Sequence, residues 1–478
     1  MTMNVPIGFV PASRTIFDQE LAIKVRGTVI EAMRKANIEP VAPGPDLTPN
    51  GLVQTPEDAA KTARLFKGQN VKGVVIGALN FGNEIPAAMA ACAADRDLPV
   101  MIFGVGEEGL LSRDKSRRDS FCGLISIATA LRHRRVRFAF PKRAVCFPGD
   151  EGFLKALEEF ARICLAVSSL RGAVYGQIGP RPADFETCAF DEISLLRNFG
   201  IRVVPLPLTT LFSRAAYVPE ARIREVYSEM ERTLDRSRVS DYDLSRMARI
   251  EVALSELIEE NALSGLAIQC WTSFQDDYGI SPCLVMARLA DRGIPCACEV
   301  DIHGTMSMHL LASLSGIPSA LADWNNRHVM LENCFSAWHC GVFPPSLSSV
   351  EKKIGLHDIL AESTGTEEGK YGTIELRLDN GPVTMARITE FKPDDFRILV
   401  AEGEVIEAAG EPPGSHGWVE VSDLDMLYSE ILRGFPHHTA IAMGHLGSSV
   451  LLASYFLGME TVTPLSLREG ALESGASY

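Results

Sequence analysis

Val71-Lys72-Gly73-Val74-Val75-Ile76-Gly77 is a short apolar run that ends on a glycine, and segments of helical period flank it at residues 56–67 and 85–96. An apolar run of this length reads as a buried strand when breakers bound it and helical patterns stand on both sides. The same alternation extends outward. Pro6-Ile7-Gly8-Phe9-Val10 precedes residues 18–35, where Leu21, Val25, Val29, Ile30 and Met33 recur at helical spacing, and Pro99-Val100-Met101-Ile102-Phe103-Gly104 follows the helix at 85–96. Strands alternating with helices give a parallel sheet covered on both faces.

A helix over 150–165, with Asp150 as its cap, closes this first region. A second α/β rhythm starts at Gly172-Ala173-Val174-Tyr175-Gly176 and continues through Gly265-Leu266-Ala267-Ile268-Gln269-Cys270. From about residue 350 the pattern changes. Thr373-Ile374-Glu375-Leu376-Arg377-Leu378 and Pro382-Val383-Thr384-Met385-Ala386-Arg387-Ile388-Thr389 alternate apolar and polar residues between turns, which is the pattern of antiparallel β. The expected fold is α/β: two doubly wound, Rossmann-like domains at 1–168 and 169–347, then a β-rich, barrel-like domain at 348–478.

The chain has 478 residues, so at about 150 residues per domain two or three domains are expected. A formal charge of -15 argues against nucleic acid or an anionic membrane as partner, since both reward clustered Lys and Arg. Eleven cysteines without a secretory leader argue against a disulfide framework and for a reducing, cytoplasmic setting. No stretch approaches the roughly 20 apolar residues of a membrane span.

Gly104-Val105-Gly106-Glu107-Glu108-Gly109 fits the dinucleotide fingerprint and follows a strand. Its context does not: residues 110–120 are charged, and two adjacent glutamates repel a pyrophosphate. It is read as a loop, and the charged run 113–119 as solvated. Cys296 and Cys298, with Cys334 and Cys340 further on, have the wrong spacing for structural zinc, and the Cys-x-Cys is read as packing in a buried strand.

Glu299 and Asp323 each end an apolar run, where a carboxylate is costly unless solvated, paired or coordinating. With His339 and the pair His437-His438 they make a set of oxygen and imidazole donors suited to a divalent ion such as Mn²⁺. Two carboxylates on a metal that grips adjacent sugar oxygens can move a proton between neighbouring carbons, which is aldose–ketose isomerisation. Trp271, Gln275, Asn325 and Asn326 are candidate substrate contacts, since an indole stacks on a polyol and amides hydrogen-bond to it. Asp301 and His303 are read as supporting residues.

The segments Cys270-Trp271-Thr272-Ser273-Phe274-Gln275, Ala297-Cys298-Glu299-Val300-Asp301-Ile302-His303-Gly304, Asp323-Trp324-Asn325-Asn326, His339-Cys340-Gly341 and Pro436-His437-His438-Thr439 resemble the L-fucose isomerase and L-arabinose isomerase superfamily over nearly the whole chain. That resemblance implies that Glu299 and Asp323 are metal ligands and the acid/base pair, that His438 is a ligand, and that His339 is the further histidine of the arabinose branch. It implies Mn²⁺, or another divalent ion such as Co²⁺ or Mg²⁺, and a homo-oligomer, a trimer or hexamer. Val300 departs from the glycine common among relatives. The alternatives are a non-catalytic sugar-binding or regulatory protein on the same fold, and a metal-dependent sugar epimerase or lyase.

Overall fold

The computed structural model describes residues 4–113 and 117–475; residues 114–116 of the charged run lie outside the described residues. Two compact units divide the chain. One comprises the residues up to Ser168 with Leu451–Gly458 and the segment from Glu469, the other Ser169–Val450 with Met459–Arg468.

In the first unit, β1 (Val5–Ala12), β2 (Ile38–Val41), β3 (Val74–Ala78), β4 (Val100–Val105) and β5 (Ala139–Pro141) run in the order β2-β1-β3-β4-β5, all parallel, and β6 (Val145–Cys146) also pairs with β4. The strand read at 71–77 is β3, buried throughout as a sheet covered on both faces requires. The helix before it, Pro56–Gly68, opens on a capping box in which Thr55 and Asp58 satisfy each other's backbone N–H, with proline in its first turn. The helix expected at 150–165 spans Glu151–Leu170.

The glycine loop after β4 is filled by Arg118. Its guanidinium donates to the Gly106 carbonyl at 2.9 Å and to Glu108 at 2.9 Å, while the backbone N–H groups of Arg118 and Asp119 donate to Glu107. Both glutamates are thus engaged by the chain itself.

The second unit contains a parallel sheet of β7 (Val174–Ile178), β8 (Arg202–Leu206), β9 (Gly265–Ile268) and β10 (Cys296–Cys298), in the order β10-β9-β7-β8. It also contains a nine-stranded sheet of β11 (Ala320–Arg327), β12 (Cys334–His339), β13 (Lys353–Leu356), β14 (Tyr371–Arg377), β15 (Gly381–Glu390), β16 (Phe396–Ile406), β17 (Ser415–Glu420), β18 (His438–Met443) and β19 (Glu460–Val462). Antiparallel pairing runs β17-β12-β11-β18-β15-β16, and β16 pairs back onto β17. Six strands therefore close into a ring, which removes their free edges.

Two features differ from the expected domain limits. β11 and β12 pair with C-terminal strands rather than with β7–β10, so the β-rich sheet begins before residue 348. An apolar run such as Ala320-Leu321-Ala322 shows that a strand is buried but not which strands flank it. The end of the chain, β20 (Leu472–Ser474), pairs antiparallel with β5 and so belongs to the first unit.

The helix Ile302–Ser315 is buried almost all round. It packs against β15 and β18 and also against β9 and β10, joining the parallel sheet to the ring within the second unit. Among the described residues, no helix is long and apolar enough to cross a membrane.

Candidate active site

Glu299 follows directly on β10, at the carboxyl end of a parallel strand, where ligands collect in open α/β sheets. Glu299 and Val300 both take left-handed backbone, at φ 60° and 61°, before the chain enters the helix Ile302–Ser315. Asp301 caps that helix, its Oδ1 accepting from the Gly304 N–H at 2.8 Å. A Cβ at Gly304 would stand 2.6 Å from Asp301 Oδ2, so glycine there makes room for the carboxylate.

Asp323 lies within β11, directly opposite His438 on β18. The His438 Nε2 is 3.4 Å from Glu299 Oε2 and 3.7 Å from Asp323 Oδ1. None of these three buried atoms has a hydrogen-bond partner. A buried polar atom left unpaired costs about 1–3 kcal/mol, more when charged, so stability alone does not account for three of them converging.

The other face of His438 is held firmly. Its Nδ1 is 2.8 Å from Asp301 Oδ2, and Asp301 in turn takes a bidentate contact from buried Arg387, one arm at 3.1 Å. Burial would raise the Asp301 carboxyl, but Arg387 and His438 hold it well below the usual carboxylate range. Burial likewise opposes charge on His438, and Asp301, Cys188 and Glu299 hold the ring well above its ordinary value. Burial lifts Asp323 to about 6; His438 and His437 oppose the rise and Glu299 adds to it.

Two sets of donor atoms meet at His438. Those of Cys188, Glu299 and His438 lie within 4.8 Å of one another, as do those of Asp323, His437 and His438. The His437 Nε2 stands 3.5 Å from Glu299 Oε2. Two carboxylate oxygens and an imidazole nitrogen without hydrogen-bond partners fit a divalent cation of the Mn²⁺ type.

The remaining expected residues are distributed around this centre. His339 stacks on His438 with ring centroids 5.4 Å apart, but its Nδ1 accepts the Cys340 N–H at 2.9 Å, and it falls in a donor group with the thiols of Cys298 and Cys340. Burial, and then His438, His437 and His357, keep His339 well below the usual imidazole value. Trp271 contacts Phe185, whose ring also meets His437, so one aromatic ring separates it from the donor set. Gln275 is buried and donates to Ser281 at 3.1 Å. Asn325 and Asn326 line a cavity of about 490 Å³ with Trp338, Glu411 and Trp418. His303 is buried against Phe396, and burial lowers its ring to about 4. Phe185 and Cys188, from the segment between β7 and the helix Glu192–Phe199, were not foreseen, and no motif or periodicity marks them.

Two family descriptions match the chain: "Fucose/sulfoquinovose isomerase, N-terminal domain" over residues 8–171 and "L-fucose isomerase, C-terminal domain" over residues 337–463. Among curated proteins, a sulfoquinovose isomerase of Priestia aryabhattai is 25% identical over 468 residues, covering 96% of this chain and 99% of that protein. A sulfoquinovose isomerase of Alkalicoccus urumqiensis is 31% identical over 325 residues, 66% of this chain and 69% of its own length. Another, from Clostridium sp. (strain MSTE9), is 24% identical over 397 residues, 81% of this chain and 85% of its own. The chain belongs to the fucose isomerase-like family and is an isomerase.

Proposed function

We propose that the protein is a metal-dependent aldose–ketose isomerase working through an enediol, with a sulfonated hexose of the sulfoquinovose type as the first substrate to test. The observation that carries this reading is the convergence of three buried, unpartnered donor atoms, Glu299 Oε2, Asp323 Oδ1 and His438 Nε2. The substrate class follows the names of the curated relatives.

Glu299, Asp323 and His438 would hold the ion, with His437 at its edge. A divalent ion such as Mn²⁺, or Co²⁺ or Mg²⁺ in its place, supplies a Lewis acid that polarises the sugar's oxygens. Glu299 and Asp323 act as the proton-transfer pair: one carboxylate removes the proton beside the carbonyl, and the proton returns at the neighbouring carbon. Asp301 keeps the Nδ1 side of His438 occupied so that Nε2 faces the donor set. Phe185 and Trp271 form an aromatic wall beside His437, a surface suited to the apolar face of a sugar ring. A cytoplasmic homo-oligomer, trimeric or hexameric, completes the proposal, and light scattering on the purified protein tests its assembly.

The experiment is turnover of sulfoquinovose and a panel of aldoses with Mn²⁺, followed by NMR in D₂O, together with metal analysis of Glu299→Gln and Asp323→Asn. The expected result is deuterium on one defined carbon, with metal and interconversion lost together in the variants. Full turnover in chelator, or with both substitutions present, would refute the mechanism.

A further inference from the structure

We propose that Cys283, Cys340 and His357, with Cys298 as a further thiol beside Cys340, form a second, thiolate-rich metal site within the same unit, suited to zinc. The four residues come from separate elements. Cys283 opens the helix Cys283–Asp291, Cys298 ends β10, Cys340 follows β12, and His357 precedes the helix Asp358–Thr364.

The Cys283 and Cys340 sulfurs are 3.7 Å apart. Two sulfurs each about 2.3 Å from a tetrahedral zinc stand about 3.8 Å apart, so the observed edge is the one such an ion requires. A disulfide would need about 2.05 Å. The donor atoms of Cys283, Cys340 and His357 lie within 4.8 Å of one another, and those of Cys298 and His339 lie within the same distance of Cys340.

His357 supplies the independent observation. It is 1% exposed, and neither ring nitrogen has a hydrogen-bond partner. Packing explains buried thiols, which behave as small apolar groups, but it does not explain an imidazole with both nitrogens vacant beside them. A Cys₃His set is a common closed, tetrahedral zinc environment.

The two sites would sort their metals by donor chemistry, since thiolates favour zinc whereas carboxylates suit Mn²⁺. They are also neighbours in sequence: Cys298 precedes Glu299, and Cys340 follows His339. Zinc at the thiols would pin the ends of β10 and β12 together. Because Cys283, Cys298 and His357 are almost fully buried, the ion would be acquired as the chain folds.

The inference stands apart from the isomerase reading, and metal analysis separates the two. Full-length protein is purified from cells supplied with zinc and manganese, then dialysed against a weak chelator and assayed by elemental mass spectrometry. About one zinc per chain is expected in the wild type and in Glu299→Gln, with at least a tenfold loss in Cys340→Ser and His357→Phe. Protein produced with cobalt should show a thiolate-to-cobalt charge-transfer band that both thiol-site variants lose. His357→Phe keeps a planar ring and all the sulfurs, so it carries the test should Cys340→Ser fail to fold. Zinc-free wild-type protein, zinc retained in His357→Phe, or a Cys283–Cys340 disulfide in protein purified without reductant would each overturn the site.

Discussion

Asp323 and His438 stand directly opposite each other on adjacent antiparallel strands, with Oδ1 and Nε2 3.7 Å apart. The register of one strand pair thus sets two of the three converging donors, and the third, Glu299 Oε2, reaches them from the end of β10 at 3.4 Å from the imidazole. A slip of one residue would turn either side chain to the opposite face of the sheet. Two of the three donors are therefore placed by pairing within a closed ring of strands, and the third by the turn that follows β10.

If this donor set binds Mn²⁺ only in the folded chain, metal at a hundredfold its Kd should stabilise the protein by about 2.7 kcal/mol. Thermal melts with and without Mn²⁺ measure this. Glu299→Gln combined with Asp323→Asn should abolish the shift. An undiminished shift in the double variant would place the binding elsewhere.

Asp301→Asn should weaken metal binding about 10- to 100-fold, because the carboxylate orients His438 through its 2.8 Å contact with Nδ1. The same change strands the buried Arg387 charge, at a cost of about 3–5 kcal/mol. Asp301→Asn with Arg387→Met should recover stability without recovering affinity. Denaturant melts and calorimetric Mn²⁺ titrations read the two effects separately. Recovery of both would deny Asp301 its orienting role.

Val300 is fully buried at φ 61°, a conformation that costs a side chain bearing Cβ about 1–2 kcal/mol. Glycine ordinarily destabilises relative to alanine by about 0.5–1 kcal/mol. Here the order should reverse, with Val300→Gly at least as stable as Val300→Ala because only glycine releases the strain. Urea midpoints of the two variants decide the matter, and a normal deficit for glycine would show the backbone to be unstrained.

His309 accepts or donates a 2.9 Å hydrogen bond with Tyr175, and burial lowers its ring from 6.5 to about 4. The unfolded chain therefore binds a proton at a pH where the folded chain does not. Stability from this group is full above about pH 6.5 and is lost as pH falls toward 4, by about 3 kcal/mol in total. His309→Gln should flatten the pH dependence of Tm over that interval. An unchanged slope would assign the acid sensitivity to other groups.

Much of this was legible in the residues. Val71–Gly77 and its helical flanks announced a parallel sheet because strand and helix periods differ, and β3 overlaps that stretch from Val74 onward. Glu299 and Asp323 stood out because a carboxylate ending an apolar run needs a reason to be there. The sheet to which Asp323 belongs was not legible, since a short buried strand carries no label for its neighbours. Gln275 illustrates a related gap: nothing local indicates that its amide turns toward Ser281. Cys298 and Cys340 were set aside for zinc on their spacing, and Cys283 and His357 carried no signal, because only the packing of separate elements brings Cys283, Cys340 and His357 together.

The strand Leu472–Ser474, which pairs with β5 in the first unit, has a consequence for biosynthesis. More than three hundred residues separate it from β5, and at about 5–20 residues per second a ribosome needs on the order of twenty seconds to a minute to deliver it. Throughout that interval β5 stands as an unpaired edge of its sheet, open to chaperones or to other nascent chains. β5 thus waits for a partner strand made more than three hundred residues later.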